Sequence, residues 1–91
     1  MSIPFFERLE DRARSINSLL CVGLDPHSEL LAVKSAEEAH AFCLRIIEAT
    51  ADLACAFKPN SAFFEAFGPE GMEALKAVIQ AIPEDIPVVL D

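Results

Sequence analysis

The chain has 91 residues, a length that allows one compact domain and excludes a second independent one. Hydrophobic residues make up 53% of it and charged residues 24%, a balance that excludes a disordered or fibrous chain. Its formal charge of −8 opposes binding to phosphate backbones and anionic lipids, so no nucleic acid and no membrane is expected as a partner. No apolar run is long enough to cross a bilayer and no signal peptide is recognisable, which predicts a cytoplasmic protein.

Three segments have apolar residues at helical spacing. The first runs over residues 4–16. The second begins with a capping box, in which Ser35 is followed three residues later by Glu38. The third follows the pair Gly68-Pro69 and must end before Pro83, because proline cannot continue a helix.

Three short apolar runs, 19–24, 54–57 and 87–90, predict strands that are covered on both faces. They alternate with the helices and begin about 30 to 40 residues apart, which is typical of βαβ units in a parallel sheet; a short helical turn is predicted over 61–67. Right-handed crossovers place the helices on one face. The pattern therefore predicts an α/β fold, a partial (β/α)₈ TIM barrel with its N-terminal helix, first three strands and two connecting helices, in which residues 1–91 form the N-terminal portion of a single domain.

The three cysteines, Cys21, Cys43 and Cys55, lie in apolar segments and form no CxxC or Cys–His pair. We therefore predict reduced, buried thiols and no metal site. His27 and His40 have no partner at ligand spacing and are interpreted as surface residues.

Each predicted strand is followed at once by a charged residue: Asp25, Lys58 and Asp91. The C-terminal ends of strands line the mouth in which barrel enzymes build their active sites. If the strands are neighbours in sequence order, Lys58 has an aspartate on either side. Nearby carboxylates favour the charged ammonium, so Lys58 is predicted to donate hydrogen bonds to substrate oxygens rather than to act as a Schiff-base nucleophile.

Four ordered segments of the chain form one recognisable set. They are Phe-Phe-Glu-Arg-Leu at 5–9, Cys-Val-Gly-Leu-Asp-Pro at 21–26, Ala-Phe-Lys-Pro-Asn at 56–60 with Phe-Phe-Glu at 63–65, and Pro-Val-Val-Leu-Asp at 87–91. Together they resemble the orotidine 5′-phosphate decarboxylase family, in its longer bacterial (type 2) subgroup. The resemblance implies a (β/α)₈ barrel that converts orotidine 5′-phosphate (OMP) to UMP and CO₂ in pyrimidine biosynthesis. It implies a carbon–carbon lyase with no cofactor and no metal, and family members are expected to be homodimers.

The same resemblance implies roles for single residues. Asp25 corresponds to a residue that hydrogen-bonds the ribose hydroxyls, and Asn60 is a second substrate-binding candidate. Lys58 corresponds to the first lysine of the family's Lys-Asp-Lys-Asp charge network and contacts both ribose and the neighbouring aspartate. Asp91 corresponds to the first aspartate of that network and faces the substrate carboxylate. The proton-donating lysine and second aspartate of the family lie beyond residue 91, so we expect an N-terminal fragment that is inactive alone.

Two other interpretations remain open. Acids at the ends of a first and a third parallel strand also occur in receiver-like phospho-accepting modules, where they bind a divalent cation, although the first strand here supplies one acid rather than a pair. A three-stranded segment with an exposed edge could also be a non-catalytic barrel fragment that persists only by association with the rest of a barrel. Magnesium binding would favour the first interpretation, and co-expression with the remaining barrel would test the second.

Overall fold

In the computed structural model, which describes residues 4–32 and 34–91, helices alternate with parallel strands. The order is helix, strand, helix, strand and then two further helices, as predicted from the hydrophobic spacing. The elements are α1 (Phe5–Ile16), β1 (Cys21–Leu24), a 3₁₀ turn (Ser28–Leu30), α2 (Ala36–Thr50), β2 (Ala56–Pro59), α3 (Ser61–Glu65) and α4 (Pro69–Ala81).

The ends of α2 and α4 follow the signals in the sequence. Ser35 Oγ accepts a hydrogen bond from the Glu38 N–H at 3.1 Å, as the capping box predicts. The reciprocal hydrogen bond, from the Ser35 N–H to the Glu38 side chain, is not formed; Glu38 Oε1 accepts from Arg45 Nη2 at 3.4 Å. Helix α4 begins with Pro69, whose missing N–H would have no partner in the first turn, and it ends before Pro83. None of the helices in the described ranges is long and apolar enough to cross a membrane.

A third parallel segment, residues 87–91, lies along the edge of β2 opposite to β1. It is joined to β2 by a single bridge, between Phe57 and Val88, rather than by the full strand that the apolar run predicts. The interruption has a physical cause: Pro59 and Pro87 have no N–H to donate to the ladder on either side of this bridge. The hydrogen bonds that remain run from Phe57 N–H to Pro87 O (3.0 Å), from Val89 N–H to Phe57 O (2.9 Å) and from Asp91 N–H to Pro59 O (3.0 Å).

One face of the sheet is covered by helices. Leu24 of β1 and Phe57 of β2 point to this side and are fully buried, and α2 and α4 pack on it and against each other. Two successive crossovers therefore lie on the same face, as right-handed connections require. The buried residues packed together here are Leu24, Ala36, Cys43, Ile47, Ala54, Phe57, Phe64, Ala74, Leu75, Val78, Ile82 and Ile86.

The opposite face, called here the open face, is exposed at Cys21, Gly23 and Lys58. The described residues leave this face uncovered at these three positions, and its cover by the rest of a barrel stays a prediction. Among the cysteines, Cys43 and Cys55 are buried as predicted, but Cys21 is exposed because strand alternation places it on the open face. All three are free thiols.

Helix α1 lies at the N-terminal ends of the strands and is attached mainly by polar contacts. It contains no buried residue, and Phe6 on its predicted apolar face is 76% exposed. Arg12 supplies the attachment: its Nη2 donates to Ala51 O at 2.9 Å, its Nε donates to Ala54 O at 3.2 Å, and its Nη1 pairs with Asp85 Oδ2 at 3.3 Å. These partners precede β2 and the 87–91 segment, so α1 stands at the end of the sheet opposite to the predicted charged residues.

Candidate active site

The three predicted charged residues lie at the C-terminal ends of three neighbouring parallel segments. Asp25 follows β1, and Asp91 ends the segment beside β2. Lys58 does not follow β2 as predicted but is its next-to-last residue, because the strand extends to Pro59. The strand can extend to Pro59 because successive N–H groups of β2 face opposite edges. The Asn60 N–H faces β1 and bonds Leu24 O, whereas position 59 faces the other edge, so the lack of an N–H in Pro59 breaks no bond to β1.

The strand register staggers the predicted row of charges. Lys58 lies opposite Gly23, not opposite Asp25. Extending the two registers to Asn60 places Asp25 and Asp91 level with it, two residues and roughly 6.6 Å further along the strands than Lys58. The acids are therefore diagonal neighbours of Lys58, and among residues 4–32 and 34–91 no ion pair within 4.0 Å joins Lys58 to either of them.

The Asp25 carboxylate folds back over β1 toward the open face. Its Oδ2 lies only 3.0 Å from the position that a Cβ on Gly23 would occupy. Such a contact is closer than ordinary van der Waals packing, so a glycine at position 23 leaves room for the carboxylate beside Lys58. Asp25 is half-buried, whereas Lys58 and Asp91 are exposed.

The charge of Asp25 also affects a core thiol. Burial, with the Asp25 charge as a smaller cause, raises the pKa of Cys43 to about 12. This thiol therefore stays protonated at neutral pH and is not a nucleophile. The described residues contain no group of three or more His, Cys, Asp or Glu side chains placed to hold a metal ion.

Asn60 and Ser61 connect the end of β2 to α3 and to Asp91. Asn60 Oδ1 caps α3 by accepting from the Ala62 N–H at 3.1 Å, which fixes the side chain and leaves its Nδ2 as a donor. The Ser61 N–H and Oγ both donate to Asp91 O, each at 3.0 Å. Sequence reasoning did not find Ser61, and no signal in the sequence links two residues that are 30 positions apart.

The two histidines differ in their surroundings. His27 is exposed, as predicted, but its ring lies 4.1 Å from the ring of Phe63, with an angle of 58° between the planes. The sequence interpretation missed this contact, which joins the loop after β1 to α3. His40 is half-buried on α2.

Comparison with known proteins identifies relatives at high identity. The chain is 48% identical over 92 aligned residues to the orotidine 5′-phosphate decarboxylase of Roseiflexus sp. (strain RS-1), covering 98% of this chain and 34% of that protein. It is also 48% identical to the corresponding protein of Thermomicrobium roseum, covering 33% of it. The chain thus spans about a third of the length of the curated relatives it matches. No protein-family model matches it.

Solved structures give the same result for the fold. A Toxoplasma gondii orotidine-monophosphate decarboxylase superimposes with a TM-score of 0.93 at 52% identity, covering 96% of this chain and 30% of that one. The Leishmania donovani OMP decarboxylase superimposes with a TM-score of 0.85 at 53% identity, covering 98% and 33%. The predicted resemblance and the predicted partial TIM barrel are both confirmed.

Proposed function

Since the chain is homologous to the N-terminal third of the orotidine 5′-phosphate decarboxylases, we propose that it supplies the ribose-binding residues and the first half of the charge network of such an enzyme. The observation that supports this most directly is the grouping of Asp25, Lys58 and Asp91 at the C-terminal edge of one parallel sheet. Barrel enzymes build their active sites at this edge. A receiver-like module is disfavoured. Such modules have a doubly wound sheet with helices on both faces, whereas both crossover connections here pack on the same face.

The proposed roles follow from the chemistry of each side chain. The Asp25 carboxylate accepts hydrogen bonds from ribose hydroxyls, and the free Nδ2 of Asn60 donates to a substrate oxygen. The Lys58 ammonium, on the open face two residues before Asn60, donates to ribose and other substrate oxygens and is the electrostatic partner of Asp91. Asp91 faces the carboxylate that leaves.

The proposed reaction breaks the bond between the pyrimidine ring and its carboxylate. CO₂ departs, the electron pair remains on the ring carbon, and that carbon takes up a proton to give UMP. The like charges of Asp91 and the substrate carboxylate raise the energy of the bound ground state, while Lys58 holds the ribose and offsets the charge of Asp91. The family resemblance assigns the proton transfer to a lysine outside these 91 residues, so we expect no turnover by the chain alone.

The setting of the reaction is proposed on the same resemblance. The substrate is a pyrimidine nucleotide, the enzyme is cytoplasmic and cofactor-independent, and the complete barrel pairs with a second copy. The phosphate group would be held by later loops of the barrel.

The test is a segment exchange with a full-length relative. The matching third of the Roseiflexus protein is replaced by this 91-residue sequence, and UMP formation from OMP is measured for the chimera, the parent and the 91-residue chain. We expect the chimera to turn over and the chain alone to be inactive. A chimera that folds, by circular dichroism and size-exclusion chromatography, but forms no UMP would overturn the proposal. So would magnesium-dependent phosphorylation of the 91-residue chain at Asp25 or Asp91.

A further inference from the structure

We propose that His27 and Phe63 form a positioning pair, which holds the loop bearing Asp25 against the β2–α3 junction bearing Lys58 and Asn60. This inference rests on the proposed function, because its effect is on the affinity of that site for its nucleotide. Neither residue is a catalytic residue; each acts through the groups beside it.

The backbone around His27 transmits its position to Asp25. The His27 N–H donates to Asp25 O at 2.8 Å, and His27 O accepts from the Leu30 N–H at 2.9 Å. Pro26, which lies between Asp25 and His27 in the chain, is fully buried. A displacement of the His27 ring therefore moves a short, internally bonded turn whose first residue is Asp25.

Phe63 is fixed in the same way to Asn60. The Phe63 N–H donates to Asn60 O at 3.3 Å, within the turn that Asn60 caps through its side chain. The next residue, Phe64, is fully buried, and Gly71 of α4 approaches its carbonyl so closely that a Cβ would lie 1.8 Å from the oxygen. Helix α3 is thus anchored to the core and presents Phe63 at a defined place.

The His27–Phe63 contact lies where the hydrogen bonds between the two strands have ended. The ladder between β1 and β2 ends with the hydrogen bond from the Asn60 N–H to Leu24 O, which is long at 3.3 Å. Beyond it, the loops meet through the rings of His27 and Phe63, at 4.1 Å. Asp25 lies between this last ladder bond and the ring contact, so the ring contact fixes the distance from Asp25 to Asn60 and Lys58.

The size of the effect follows from the strength of aromatic pairs. Contacts of this kind contribute enough free energy to change an equilibrium by about two- to tenfold. Because the pair positions a ribose-binding group, its loss weakens the binding of the substrate and of the transition state equally. This raises KM and leaves kcat nearly constant.

The experiment uses the chimera with the variants His27→Ala, Phe63→Ala, the double variant and His27→Phe. We expect each alanine variant to raise KM for OMP by about two- to tenfold. The double variant should be no worse than either single one, because both remove the same contact. His27→Phe keeps a ring against Phe63 and should restore the original KM. His40→Ala, at the other histidine of the chain, is the matched control and should leave KM unchanged.

Three results would overturn the proposal: an unchanged KM in both alanine variants, effects that simply add in the double variant, or a His27→Phe variant as impaired as His27→Ala. The last would mean that the ring nitrogens, and not the contact, matter.

A second measurement separates this proposal from the proposed function. In the 91-residue chain, ¹⁵N relaxation should show lower order parameters at Asp25 and His27 in Phe63→Ala than in the original sequence, with no change in His40→Ala. This result would support the positioning pair even if the chimera were inactive. Unchanged order parameters would overturn the pair even if the chimera were active.

Discussion

The two faces of the parallel sheet carry residues selected by different physical demands. On the helix-covered face, Leu24 and Phe57 are fully buried and belong to the cluster of packed apolar side chains. On the open face, the residues next to them in the same strands are Gly23 and Lys58, and both are exposed. Neighbouring positions of one strand therefore have separate consequences: a change at Phe57 is expected to affect folding, and a change at Lys58 is expected to affect chemistry.

The largest effect is expected for Phe57→Ala. This ring is fully buried in the cluster under α2 and α4, so its loss removes apolar contact and leaves a cavity that costs about 3–5 kcal/mol. That is comparable to the whole stability of a small domain. We expect loss of the cooperative unfolding transition in urea, whereas Leu53→Ala, at a side chain that is 60% exposed, should unfold almost as the original chain does. A Phe57→Ala chain of unaltered stability would contradict the assignment of this face as the core.

Lys58→Ala should separate function from folding. In the chimera, removing this ammonium takes away a hydrogen-bond donor to the substrate and the cation beside Asp91, and we expect kcat/KM to fall by about 10²–10³. The urea midpoint should stay nearly the same, because the side chain is exposed and in no ion pair within the described ranges. Lys76→Ala, at an exposed lysine of α4, is the control for loss of a positive charge and should keep its activity. Equal activities of the two variants would refute the role of Lys58.

Gly71→Ala tests how closely α3 must approach α4. The added Cβ would lie 1.8 Å from Phe64 O, a backbone atom that cannot move without shifting α3. Alanine favours helix by up to about 1 kcal/mol over glycine, so a net destabilisation of about 1–2 kcal/mol is expected after this gain is subtracted. Gly68→Ala is a different case, because its φ of 70° rather than its surroundings favours glycine. Urea denaturation of Gly71→Ala measures the difference, and a stabilised variant would show that the helices can separate freely.

The cysteines allow exposed and buried positions to be compared without any mutation. At pH 8, iodoacetamide should alkylate exposed Cys21 in the folded chain and leave buried Cys43 unmodified until urea is added. The cause is burial, with the Asp25 charge as the smaller contribution, which raises the pKa of Cys43 to about 12. Peptide mass spectrometry after quenching gives the order of labelling, and simultaneous labelling of Cys21 and Cys43 would contradict the burial of α2.

The raised pKa of Cys43 also predicts a pH dependence of stability. The unfolded chain releases the thiol proton at the ordinary cysteine pKa, whereas the folded chain holds it until about 12. The stabilisation is therefore present below the ordinary pKa and lost as pH rises toward 12. Wild-type stability should fall more steeply over this range than that of Cys43→Ala; parallel curves would contradict the shift.

Local signals predicted much of the fold. The Ser35 cap marks the start of α2, and Pro69 and Pro83 bracket α4, because capping and proline geometry act within a few residues. The alternation of apolar runs was enough to predict parallel strands with helices on one face. The reduction of the third strand to one bridge could not be predicted in this way, because it depends on which edge of β2 is faced by Pro59, which has no N–H.

The candidate site was predicted in its residues but not in its geometry. Asp25, Lys58 and Asp91 were expected side by side, whereas the register of β1 on β2 places Lys58 opposite Gly23. Register depends on the pairing of strands that are 35 residues apart, and no local pattern specifies it. The contact of His27 with Phe63 was missed for the same reason.

The most direct test of the account is a crystal structure of the chimera with UMP bound. We predict the ribose on the open face, with its hydroxyls within hydrogen-bonding distance, about 3.2 Å or less, of the Asp25 carboxylate and Lys58 Nζ. The pyrimidine ring should lie toward Asp91. A nucleotide bound elsewhere, with no ribose oxygen in hydrogen-bonding distance of Asp25 or Lys58, would contradict the division of the sheet into a folding face and a chemical face.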